Sequence, residues 1–78
     1  MKISMLNRFK EMREQKGITI DKASVDTRIS SKLLKAIEED DFTIFPAEIY
    51  LKGFITLYAN YLGLNPKEIL EEYKKSKE

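Results

Sequence analysis

Only five of the 78 residues in this sequence are glycine or proline, and four of them stand where a helix would begin or end. Gly17 and Gly63 follow amphipathic stretches as left-handed stops. Pro46 and Pro66 suit a first helical turn, where the missing N–H has no partner to lose. Between these marks apolar residues recur at three- and four-residue spacing. No Asn-Gly or Asp-Gly turn occurs and no strict alternation persists, so strand signals are nearly absent. The marks divide the chain into five helices: about Met5 to Lys16 behind a Ser4 cap, Ile20 to Asp26 behind Thr19, Ser31 to Glu39 behind Ser30, Pro46 to Leu62, and a last one from Pro66 behind Asn65. Leu6 and Phe9 face inward on the first helix, as do Ile69, Leu70 and Tyr73 on the last. Ile29, just before the Ser30 cap, is placed to pack on Leu34 as a hydrophobic staple. The reading is all-α: a compact five-helix domain over residues 1–73, with 74–78 as a basic tail that reads as the start of a linker.

What the chain lacks narrows its chemistry. It has neither histidine nor cysteine, which removes the usual general base, the usual nucleophile pairings and most transition-metal sites. We expect no enzyme, no cofactor and no metal. The run Glu38-Glu39-Asp40-Asp41 lacks the spacing of a calcium loop, and consecutive carboxylates at a helix end do not converge on one ion. The longest apolar stretch, Phe54 to Leu64, falls well short of the roughly 20 residues a membrane helix needs. With 14 Lys and Arg against 13 Asp and Glu, the chain is also not the strongly basic kind that binds nucleic acid by charge alone.

Two short helices around a tight turn acquire meaning through their apolar pattern. Ala23 and Ser24 are small where two helices would cross closely, and Thr27, Ile29, Leu34 and Ile37 line the inner side. The segment from Gly17 to Phe42 therefore resembles the helix-turn-helix of the lambda-repressor-like (Xre/Cro) fold, with the unit itself at about residues 19–39. The resemblance implies a structural ion pair between Arg13 and Glu38. It also assigns the DNA-facing positions to Ser31, Lys32, Lys35 and Ala36, which include no Arg, Asn or Gln able to read a base with two hydrogen bonds. Arg28 stands where that family usually has a turn glycine, and Ile20 replaces a polar residue that contacts phosphate. From Thr19 to Asp41 four basic residues face six acidic ones, a net of −2 that suits phosphate poorly.

The fourth helix carries the more specific pattern. On a helical wheel Leu51, Phe54, Ile55, Tyr58 and Leu62 fall within about 100° of arc, a normal core stripe. Beside them runs a second stripe, Tyr50, Phe54, Leu57 and Tyr61. The stretch Asp41-Phe42, Pro46, Tyr50-Leu51-Lys52-Gly53-Phe54 and Tyr58 through Pro66 resembles the cytoplasmic domain of the RodZ family of bacterial cell-shape proteins. That resemblance implies a non-catalytic adaptor that binds the bacterial actin homologue MreB and links the cytoskeleton to the membrane. It assigns the contact to Tyr50 and Phe54. Leu57, Lys52 and Gly53 complete the expected partner-binding set, since a missing side chain at Gly53 lets a partner approach the backbone.

The resemblance further implies a cytoplasmic location in a parent anchored in the inner membrane by one transmembrane helix, through a segment absent from this chain. The domain itself is expected to be a monomer in isolation and to bind nucleic acid at most weakly. The alternative is an Xre-type DNA-binding transcriptional regulator using Ser31, Lys32 and Lys35. Exposure of Tyr50 and Phe54 favours the adaptor; their burial beside a basic third helix favours DNA.

Overall fold

A computed structural model describes residues 7–77, and among them it contains α-helices and no strand: α1 (Asn7–Gln15), α2 (Ile20–Thr27), α3 (Ser31–Glu38), α4 (Glu48–Leu62) and α5 (Pro66–Lys77), with a single 3-10 turn at Phe42–Ile44 before α4. The caps explain most of these bounds. Thr19 Oγ1 accepts the Lys22 N–H at 3.1 Å and Ser30 Oγ accepts that of Leu33 at 3.2 Å. Asn65 Oδ1 accepts the N–H groups of Lys67 and Glu68, which lets Pro66 open α5. Gly17 and Gly63 take φ of 68° and 78°, the left-handed conformation that ends a helix without a Cβ penalty. The expected Ser4 cap and the inward Leu6 lie outside the described residues.

The start of α4 differs from the expectation. Pro46 is not its first residue; the helix opens at Glu48, with Ala47 extended as the cap. Phe45 is extended as well, as a residue before proline tends to be. Both preceding phenylalanines turn inward instead: Phe42 meets Tyr73 edge-on at 5.3 Å, and Phe45 packs 6.0 Å from Phe54. Seating two rings takes chain length that local helix signals do not register. The C-terminal end also runs further than a tail from residue 74 would, because α5 stays helical to Lys77.

The core sits between α1, the α2–α3 pair and α4, with α5 packed chiefly along α4. Phe9 and Tyr58 stack at its centre, rings 5.0 Å apart and nearly parallel. Ala23 is fully buried where the helix-turn-helix crosses the rest of the domain. Ile29 and Leu34, the staple pair, both lie in this core. An Arg8–Glu72 bridge at 3.0 Å ties α1 to α5.

The turn without its glycine has a clear construction. Arg28 adopts φ 62°, costly for a residue with a Cβ. Side chains brace it from both sides: Ser24 Oγ donates to the Ile29 carbonyl at 2.6 Å, Thr27 Oγ1 donates to the Ala23 carbonyl at 2.7 Å and accepts the Ile29 N–H at 3.2 Å. Arg28→Gly is therefore expected to stabilise the domain by up to about 1 kcal/mol, the relieved strain exceeding the added entropy of the unfolded chain. A urea midpoint that falls in this variant would contradict the assignment.

Candidate functional site

α4 is long enough to show two faces. Leu51, Ile55, Tyr58, Ala59 and Leu62 are buried, and at about 100° per residue the direction opposite them is occupied by Gly53. Around Gly53 the surface stays apolar. Ile49 is 76% exposed, Tyr50 56% and Leu57 52%, while Phe54 is half-buried against Phe45. Phe54 thus belongs to the edge of the core and to the surface at once, unlike the fully buried members of its stripe. With Thr56 these residues line a shallow depression of about 440 Å³. A Cβ built at Gly53 would meet nothing within 4 Å. Gly53 therefore answers no packing need of this fold, although glycine in a helix interior costs about 0.5–1 kcal/mol relative to alanine.

Of the five candidate residues, the structure brings Tyr50, Gly53, Phe54 and Leu57 to one depression. Lys52 stands on its flank instead, paired with Glu48 at 3.2 Å one turn away. Two lining residues escaped the sequence reading. Ile49 and Thr56 lie next to the aromatic stripe; the spacing Ile49–Gly53–Leu57 (i, i+4, i+8) is the signal that marks Ile49, and no such signal marks Thr56. Thr56 Oγ1 donates to the Lys52 carbonyl at 2.9 Å, so its polarity is spent on its own helix.

The alternative site is less coherent. Lys32 and Lys35 on α3 are exposed and Ser31 half-buried, but Ala36, in the same depression as the lysines, is only 6% exposed and offers little surface for contact. Glu39 and Asp41 line the same depression as Lys32 and Lys35, so a phosphate approaching the lysines meets carboxylates beside them. The acidic run itself diverges: Glu38 turns inward, Asp41 accepts the Thr43 hydroxyl at 2.7 Å, and Asp40 sits at φ 58°. No cluster of acidic side chains able to hold a metal ion occurs among the described residues.

Glu38 is the polar centre of the interior. Its Oε2 accepts Arg13 Nε at 2.8 Å and the Tyr58 hydroxyl at 2.5 Å, and its Oε1 accepts Arg13 Nη2 at 3.1 Å. Arg13 Nη1 donates to the Ile18 carbonyl at 2.9 Å. The network fastens α1, α3 and α4 to one carboxylate. Its hydrogen bond to Glu38 raises the Arg13 pKa still further, while burial first and then the bond to Glu38 push the Tyr58 phenol far up. Three residues further along α4, Tyr61 donates to Asp26 on α2 at 2.6 Å; that bond chiefly pushes the Tyr61 phenol up to about 12. These two bonds fix the C-terminal part of α4 to α2 and α3.

Comparisons with known proteins agree with this architecture. A family model described as a helix-turn-helix domain matches residues 8–69. Over 58 residues the chain is 34% identical to the uncharacterized membrane protein YmfM of Bacillus subtilis, covering 74% of this chain and 20% of that protein. Over 61 residues it is 31% identical to the cytoskeleton protein RodZ of Streptococcus pneumoniae, covering 78% and 22% respectively. The chain thus spans about a fifth of the length of these curated relatives. A chain of the solved structure in which bacterial actin MreB assembles in complex with cell shape protein RodZ superposes with a TM-score of 0.87 at 38% identity, over 94% of this chain and 89% of that one. No helix among the described residues is long and apolar enough to cross a membrane.

Proposed function

This chain belongs to the helix-turn-helix family as a RodZ-like member, and from that premise we propose that it is a non-catalytic adaptor domain that docks on the bacterial actin MreB through the outer face of α4. The observation that carries the reading is the apolar depression around Gly53, directly opposite the core. Exposed aliphatic and aromatic side chains on a rigid helix offer large contact area at small entropic loss, and a bare helix backbone in their midst admits close approach. The solved complex supports MreB as the partner, since the similar chain there comes from an assembly of MreB with RodZ. Location in the cytoplasm, with a membrane anchor elsewhere in the parent, fits a relative named as a membrane protein. In that role the domain holds the filament while the anchor holds the bilayer.

The test is a pair of measurements on Gly53→Gln. Glutamine is a better helix former than glycine, and its Cβ enters open space. Thermal unfolding should therefore rise by the equivalent of about 0.5 kcal/mol. Co-sedimentation with MreB filaments, which the wild-type domain should show, should be lost. Unchanged sedimentation would remove Gly53 from the contact; a wild-type domain that never pellets with MreB would remove the function.

DNA binding by the isolated domain should be weak and non-specific, given the −2 charge of residues 19–41 and the carboxylates beside Lys32 and Lys35. Fluorescence anisotropy at near-physiological salt should give dissociation constants no tighter than the ~10⁻⁴–10⁻⁶ M of non-specific contact. A sub-micromolar complex with one sequence among random competitors would contradict this.

A further inference from the structure

Between α4 and α5 lies a second depression, of about 260 Å³, lined by Lys52, Lys67, Leu70, Glu71 and Lys74. Three ammonium groups share it with one carboxylate. They are not equivalent, because Lys52 is held by Glu48 at 3.2 Å, whereas Lys67 and Lys74 have no carboxylate partner among the described residues. Seven residues apart on α5, these two lie roughly 10 Å apart along its axis, two helical turns. Lys52 precedes Gly53 directly in α4, so the basic trough runs alongside the apolar depression with no intervening element. The two together form one surface with an apolar half and a cationic half.

We infer that the Lys52–Lys67–Lys74 trough is a second subsite of the filament contact, taking an acidic segment of the partner whose apolar residues occupy the Gly53 depression. This rests on the adaptor reading above. The chemistry of the trough favours a polypeptide over a lipid surface. Its cations line a recess with Leu70 and Glu71, so side-chain carboxylates can enter singly between the lysines and avoid Glu71. A flat, dense layer of anionic headgroups would meet Glu71 together with the lysines and leave the recess empty. Acidic side chains spaced about two helical turns apart match Lys67 and Lys74. Exposed charges at the edge of an apolar contact act mostly on encounter rate and salt dependence, whereas the apolar centre sets the lifetime of the complex.

The experiment measures the affinity of the domain for purified MreB between low and high salt for the wild type, the Lys67→Glu/Lys74→Glu double variant and Tyr50→Ala. Both lysines are exposed, and far-UV circular dichroism establishes that the double variant is folded. The expected result is about tenfold weaker binding of the double variant at low salt, with a flattened salt dependence. Tyr50→Ala should bind weakly but keep the wild-type salt slope. A double variant that binds and responds to salt like the wild type overturns the trough subsite while leaving the adaptor function intact. Vesicles containing phosphatidylglycerol provide the remaining arm: if they retain the wild type and release the double variant, whose MreB affinity is unchanged, the trough belongs to lipid and the inference fails. A wild-type domain without affinity for MreB overturns both readings together.

Discussion

Replacing Glu38 by alanine is expected to cost the domain about 3–5 kcal/mol, the range for stripping one partner from a buried ion pair. A folded chain of this size has only about 4–12 kcal/mol in total, taking 0.05–0.15 kcal/mol per residue. The effect is large because of what stays behind. Arg13, with 12% of its side chain exposed, keeps only its bond to the Ile18 carbonyl, and the Tyr58 hydroxyl loses its acceptor. The pair is not proof of net stabilisation, since well-packed apolar replacements of buried ion pairs are often neutral or better. Arg13→Met, Glu38→Leu and Tyr58→Phe combined should therefore recover most of the loss, which separates orphaned polar groups from lost volume. Urea denaturation of the single and triple variants checks both statements. A loss below about 1 kcal/mol for Glu38→Ala would place the pair with exposed ones. The network also sets a sign for alkaline pH: because the Tyr58 pKa is raised on folding, the unfolded chain gives up that proton first, and stability should fall as pH rises above about 10.

Much of this architecture is legible locally. Thr19, Ser30, Asn65, Gly17 and Gly63 act within a turn of where they stand, so residue type and position suffice to place α2, α3 and α5. The Pro46 start was misplaced because the competing influence is not local: Phe42 and Phe45 reach Tyr73 and Phe54, and ring packing outweighs a helix-start preference. Arg28 shows the same ordering, with Ser24 and Thr27 holding a conformation its own side chain disfavours. Ala36 stands beside Lys32 and Lys35, as its position in a resembling family implies, but it is only 6% exposed, in a depression it shares with Ile44 of the 3-10 turn. The Tyr58 hydroxyl could be assigned to the core by periodicity and not to Glu38, because the bond depends on how α3 and α4 cross. At the candidate site the aromatic stripe is readable in the sequence, while Ile49 carries no ring to set it apart from an ordinary core aliphatic.

The second large effect concerns Tyr50. The residue is 56% exposed in the isolated domain, so truncation removes little that folding uses and much that a partner would cover. Contact residues of this kind, near the centre of an apolar patch with neighbours that exclude water, typically cost about 2 kcal/mol or more of binding when cut to alanine. Phe54 is a poorer probe, because its packing on Phe45 mixes stability with binding. The decisive measurement is therefore the dissociation constant of Tyr50→Ala for MreB, with thermal unfolding recorded on the same protein. The account predicts an unfolding midpoint close to the wild type and affinity weakened by about thirtyfold, the equivalent of 2 kcal/mol. Wild-type affinity in a variant that folds normally would contradict the assignment of the α4 face as the filament contact.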